Sequence, residues 1–295
     1  KLTSNPIGGV MQTGISQGSA ARWGVHVLGF ALVAVSTFAL SGCNGGSNSG
    51  FANVRATVIS GAGNIQDEVD QFRTLLGALN APNTPGQASG RREVNWDGVP
   101  DAFSNNNNLP GNFFNPPQGS PGSPRGLILS TPGTGLRVSG TLGPPAVATL
   151  FGDVNANYPN QFAFFTPNKT FAANGSNRVI CSFEVPTQSG TAAGVRGFGV
   201  VFSDVDSASS TFLDIFEGNL NLGRFLAPAR AANSSGLSFL GVFLPDNRAT
   251  RVEITSGNAA LGAGVNDISA GGNADLVIMD DFIYGEPQPL PQPLP

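Results

Sequence analysis

The sequence predicts an all-β fold, an antiparallel jelly-roll-like β-sandwich with one N-terminal amphipathic helix. Three observations carry that expectation. Only 12 % of the 295 residues are charged, whereas Gly (40) and Pro (22) are abundant; such a chain is rich in turns and poor in helix-favouring Lys and Glu. From Gly126 onward, short β-patterned runs alternate with turn residues and no helical segment separates them. The last run, Ala274 to Glu286, is apolar on both faces, as a central strand covered on both sides should be. Apolar content of 40 %, including 21 Phe, is ample for a core.

Taken in order, the chain opens with a polar lead containing Met11, a candidate start. Arg22 then precedes a run from Val25 to Leu40 that holds one His and otherwise apolar or small residues. About sixteen residues are short for a spanning helix and right for a signal-peptide h-region. The run ends in Leu40-Ser41-Gly42-Cys43, which resembles the bacterial lipoprotein signal: a Leu, two small residues, and a Cys that is acylated and becomes the first residue. The resemblance implies a signal peptide over residues 1–43, lipidation at Cys43, and a membrane partner reached through the lipid. Acyl chains contribute about 0.8 kcal/mol per buried methylene, so several would hold the protein at a bilayer. Asn44 after the Cys favours, by the same resemblance, the outer membrane. Residues 44–60 are expected to be a tether, with a short strand near Phe51 to Ser60.

Loss of the signal removes His26, the only histidine. That excludes His-based nucleophilic triads and His-ligated zinc or iron from the mature chain. Cys181 alternates with apolar residues and reads as a buried core thiol. A net charge of −4 and the lack of a basic run argue against a nucleic-acid partner.

The helix is expected after Asn64 as N-cap, with Asp67, Glu68 and Asp70 near its positive end. Ile65, Val69, Phe72, Leu76 and Leu79 form its apolar stripe. Residues 61–90 therefore read as helix and linker, and 91–286 as the sandwich. An Asn/Pro/Gly-rich loop runs to Pro124. Strands are expected near Leu127–Ser130, Leu136–Thr141, Val147–Phe151, Gln161–Phe165, Arg178–Val185, Val195–Ser203, Thr211–Phe216, Leu222–Leu226, Leu237–Leu244, Ala249–Thr255 and Asp275–Tyr284. Residues 287–295 read as an exposed polyproline-type tail.

Four segments carry a further resemblance: Arg91-Arg-Glu-Val-Asn-Trp-Asp-Gly-Val-Pro, Gly197-Phe-Gly-Val-Val-Phe-Ser-Asp-Val-Asp, Leu237-Ser-Phe-Leu-Gly-Val and Asp280-Asp-Phe-Ile-Tyr-Gly-Glu-Pro. They resemble a family of uncharacterised exported bacterial proteins. They are also similar to the extracellular β-sandwich domains of proteins with a PEP-type C-terminal sorting signal. The resemblance spans roughly residues 60 to 288 and implies a secreted sandwich without an established activity. No hydrophobic helix or basic cluster follows Pro287, so the lipobox is expected to replace that anchor.

The chemistry rests on carboxylates. Asp280 and Asp281 interrupt the last strand and, by the two-residue period, should point to opposite faces, at least one of them buried. A buried carboxylate needs hydrogen bonds, a cation or a metal. If first and last strands pair, Asp97 comes near them. Asp204-Val-Asp206 offers alternating oxygen ligands at a strand end, as calcium loops do, although the Gly and closing Glu of an EF-hand are missing. One structural Ca²⁺ is therefore expected on a subset of Asp97, Asp280 and Asp281, or separately on Asp204 and Asp206; pairing with Arg91, Arg92 or Arg196 is the competing reading. Trp96 and Tyr158, with Phe113 and Phe114, are the loop aromatics that could stack on a glycan. The expected function is an exported, lipid-anchored, non-catalytic surface protein contacting glycans or other surface proteins. The alternative is a carbohydrate-active hydrolase using paired carboxylates, against which stands the absence of the flanking Glu residues of sandwich glucanases.

Overall fold

The computed structural model describes residues 54–104, 106–143, 147–230 and 236–291, together with the backbone of Val35–Ala39. Strand β1 is Val35–Ala39 and β2 is Arg55–Ala62, followed by helix α1, Gln66–Leu76, and β3, Arg91–Val94. Then come β4 (Leu127–Ser130), β5 (Gly135–Val138), β6 (Thr141–Leu142), β7 (Val147–Ala148), β8 (Phe171–Asn174), β9 (Arg178–Glu184) and β10 (Ala192–Gly194). The second half holds β11 (Gly197–Ser203), β12 (Phe212–Glu217), β13 (Leu220–Leu226), β14 (Leu237–Phe243), β15 (Arg251–Thr255), β16 (Ile278–Gly285) and β17 (Gln288–Pro289).

Two large antiparallel sheets pack face to face, the all-β sandwich that the sequence predicts. One runs β1-β2-β14-β11-β16-β8-β5, with β3 also on β16; the other runs β13-β12-β15-β9-β10-β17, with β4 on β9. Apolar residues from both inner faces, among them Phe198, Phe202, Phe282, Cys181 and Ile254, make the main core.

Strand β16 is buried along its whole length, as its two-sided apolar pattern requires. Its outer face is covered by α1. Val69, Phe72 and Leu76 of the helix pack with Val201, Phe239 and Ile283 of the sheet. Gly199 and Gly241 face each other across β11 and β14, and a Cβ on either would meet the Phe72 ring at 2.8 or 2.7 Å. The glycine pair is therefore the slot in which that ring sits.

Several local expectations change. The helix N-cap is Ile65 rather than Asn64, with no side-chain cap, and Leu79 lies beyond the helix end at Gly77 and is 56 % exposed. Gln161–Phe165 is not a strand; it follows a 3₁₀ turn over Tyr158–Asn160. Strands β3 and β8 form where none was expected, because β16 offers partners on its free side. The short strand expected near Phe51–Ser60 does form, as β2, and it pairs with β14. Gln288–Pro289 of the expected free tail pairs with β10 at a sheet edge, the place where Pro is tolerated; residues 292–295 lie outside the described residues. The last part of the expected h-region is β1, paired with β2; an apolar run beside an open strand satisfies its backbone groups by pairing. Cys43 lies outside the described residues.

Candidate carboxylate site

Antiparallel pairing of β11 with β16 matches Ser203 with Ile278. The residues just after β11 and just before β16 therefore share one end of the sheet. Asp204 leaves β11 with φ +70°, its N–H donating to Gly236 O at 2.8 Å, and it is 1 % exposed. Asp267 caps a 3₁₀ turn over Ile268–Ala270. Carboxylate oxygens of Asp204, Asp206 and Asp267 lie within 4.8 Å of one another, the one such group among the described residues.

The donors around these oxygens decide what the cluster can do. Asp275 is fully served: it accepts from the N–H groups of Asp206 and Ser207, both at 3.1 Å, and from the Ser210 hydroxyl. It thereby shapes the 204–210 loop. Asp267 accepts from Leu276 N–H and Ser269 N–H, both at 2.6 Å. Asp204 has only a long contact from Ser269 Oγ at 3.4 Å on one oxygen. Its other oxygen and both oxygens of Asp206 are buried without any donor. No ion pair among the described residues involves these four carboxylates. Burial, then the neighbouring charges of Asp267, Asp206 and Asp275, pushes the Asp204 carboxyl up to about 8. Burial, then Asp267, lifts Asp206 to about 6. Such like charges in low dielectric are costly unless protonated or joined by a cation. All-oxygen donors without nitrogen or sulfur suit a hard cation. Oxygens this close to one another are near enough to share one hard cation such as Ca²⁺.

The other expected set is built differently. The pairing Phe202↔Met279 and Val200↔Phe282 leaves Asp280 and Asp281 together opposite Val201. This β-bulge breaks the alternation, so the two carboxylates do not point to opposite faces. Both meet the Thr166 hydroxyl, at 3.4 and 2.7 Å, and both are buried. Asp280 also accepts from Phe165 N–H at 2.6 Å and Thr166 N–H at 3.3 Å. Asp281 faces Arg73 at 3.7 Å, the same guanidinium that holds Glu93 at 2.9 Å. Burial and the adjacent Asp281 raise the Asp280 carboxyl well above the ordinary range, and burial lifts Asp281 to about 6. Asp97 is spent on the backbone N–H groups of Asn168 and Lys169. These three residues pin the 165–169 loop and do not gather as a ligand set. The cation partner is Arg73 from α1, not Arg91, Arg92 or Arg196.

The expected glycan-stacking aromatics are core residues, a correction to the sequence reading. Trp96 is 1 % exposed, stacked on Phe171 at 4.0 Å, and its Nε1–H donates to Asp280 O at 2.8 Å. Pairing of β3 with β16 carries it inward. Tyr158 is fully buried, its hydroxyl donating to Gly262 O or Val265 O at 3.0–3.1 Å. Phe113 and Phe114 are buried too. Asp267 and Asp275 are the members of this carboxylate cluster that sequence reasoning missed: they lie more than sixty positions from Asp204, and only the β11–β16 pairing reveals them. No family model, curated protein or solved structure matches this chain.

Proposed function

We propose that the chain is an exported, lipid-anchored, non-catalytic β-sandwich protein of the bacterial cell surface, stabilised by one calcium ion and acting through surface contact, glycans included. The observation that supports it most is the set of buried, donor-free oxygens on Asp204 and Asp206 beside Asp267. Extracellular calcium modules bind with dissociation constants of roughly 10⁻⁴–10⁻³ M, which suits an exported domain. Asp204, Asp206 and Asp267 would hold the ion, and Asp275 would set the loop. The ion would join the loop after β11 to the loop before β16.

The non-catalytic reading is supported by the state of the acids that line a cavity. Glu93 and Asp281 are the carboxylates a hydrolase would use there, and Arg73 engages both. The anchoring reading rests on the Leu40–Cys43 motif; no helix among the described residues is long and apolar enough to cross a membrane. Processing before Cys43 would release β1 and leave β2 at the sheet edge. Isothermal titration of the full chain with calcium tests the central part: one site, lost in Asp204→Asn and in Asp267→Asn, is expected. Heat exchange indistinguishable from dilution would overturn it. Labelled palmitate incorporated by the producing cells and lost in Cys43→Ser tests the anchor.

A further inference from the structure

On the helix side of the molecule, two cavities of about 230 and 180 Å³ share Arg125 and Asn95 in their walls. The larger is lined by Arg73, Glu93, Arg125, Thr166 and Asp281, with Leu79 of the segment after α1. Its four charged lining residues, Arg73, Arg125, Glu93 and Asp281, balance in number but not in pairing. Glu93 is met by Arg73 and Arg91 at 2.9 and 2.6 Å, and Asp281 by Arg73. Arg125 has no carboxylate partner among the described residues. Its guanidinium donates to Ser123 Oγ at 2.5 Å and lies 5.7 Å from the Phe114 ring centroid. The backbone of Arg125 is fixed on both sides, N–H to Phe114 O at 2.6 Å and O accepting from the Tyr284 hydroxyl at 3.2 Å. A half-buried guanidinium with spare donors on a fixed backbone is a ready receptor for a planar carboxylate.

The acidic part of the same lining selects the rest of the ligand. Glu93 and Asp281 already have their cation, so an added ammonium group would find no uncompensated charge. Their remaining lone pairs, with the exposed Asn95 amide, suit neutral hydroxyls. A ligand with one carboxylate and several hydroxyls satisfies both parts of the lining; an amino acid or a simple inorganic anion satisfies one.

We propose that this paired cleft binds an acidic saccharide, a uronic-acid-containing oligosaccharide whose carboxylate sits on Arg125 while its hydroxyls meet Asn95 and the Glu93–Asp281 wall. The inference rests on the surface-contact part of the function proposed above and is independent of the calcium site. Charge-assisted recognition of this kind weakens as salt is raised.

The experiment titrates the full chain with trigalacturonate, with neutral galactotriose and with inorganic phosphate, each in calcium and in chelator. Saturable binding of trigalacturonate, at least about tenfold tighter than galactotriose, is expected. Arg125→Gln should lose about tenfold or more in affinity while its melting temperature and calcium response stay those of the parent. Arg125→Lys, which keeps the charge without the fork, should fall between. Equal binding of the neutral sugar, equal binding of phosphate, unchanged affinity in Arg125→Gln, or no saturation by trigalacturonate each overturns the proposal. Failure of the calcium reading would show instead as a missing melting shift, with saccharide affinity untouched.

Discussion

Two groups of buried acids sit near the same end of strand β16, one inside the strand at the bulge and one just before the strand begins, and they differ in donors rather than in charge. In the bulge, Asp280 and Asp281 are served by backbone N–H groups, the Thr166 hydroxyl and Arg73. At the end of the strand, Asp204 and Asp206 expose three oxygens to the interior with nothing to accept. Counting carboxylates alone makes the two regions look alike. Counting donors separates an internal staple from the proposed cation seat, because an unpaired buried acceptor bears its full desolvation cost.

Removing acids from the two regions should therefore have opposite consequences. The largest effect is expected in the bulge. Asp280→Ala strands the Phe165 and Thr166 N–H groups, costing roughly 2–5 kcal/mol and lowering the melting temperature by roughly 5–15 °C. Scanning calorimetry should give the same loss in calcium and in chelator; a calcium-dependent loss would merge the two regions into one ion system.

Asp204→Asn comes next and carries the opposite sign in chelator. It relieves repulsion among the Asp204 cluster, so chelator-treated variant should melt at or a few degrees above the parent, by roughly 1 kcal/mol. In calcium it should melt below the parent, because the ion's contribution is gone. Equal losses in both media would mean that Asp204 is an internal staple as well.

The pH dependence sharpens the contrast further. Asp204 titrates near 8 and Asp206 near 6 in the folded chain, against about 3.9 when unfolded. Between those values the folded state holds more protons, so stability falls as pH rises. Their contribution is complete below about pH 4 and lost on passing through about 6 and 8. Chelated protein should therefore melt lower at pH 8.5 than at pH 5, and saturating calcium should flatten that slope by taking the protons' place. Asp280 and Asp281 slope the same way in both media, so the difference between media reports the Asp204 cluster. Parallel slopes would remove the ion from the account. The smallest effect is Thr166→Val, which costs about 1 kcal/mol through the lost donor to Asp281, again regardless of calcium.

The layered β architecture and the central place of β16 are legible in the sequence because a strand covered on both faces leaves an unbroken apolar run. The helix stripe is legible for the same reason, since Val69, Phe72 and Leu76 recur at helical spacing and all three are buried. The half of the carboxylate cluster contributed by Asp204 and Asp206 could be read from their alternation at a strand end. Asp267 and Asp275 could not, because only long-range pairing of β11 with β16 brings them there. Nor could the bulge at Asp280: a period of two assumes an uninterrupted strand, and one extra residue turns both carboxylates towards Thr166. Trp96 misled because its loop-like sequence, Asn95-Trp-Asp-Gly, hides the turn into the core that β3 pairing imposes.

The most direct test is the melting temperature of the full chain at pH 7.5 with a hundredfold excess of calcium over its dissociation constant, compared with chelator. The ion should add about 2.7 kcal/mol, a rise of roughly 5–10 °C that disappears in Asp204→Asn. Superimposable curves for the parent protein in the two media would contradict a cation seat at the end of β16.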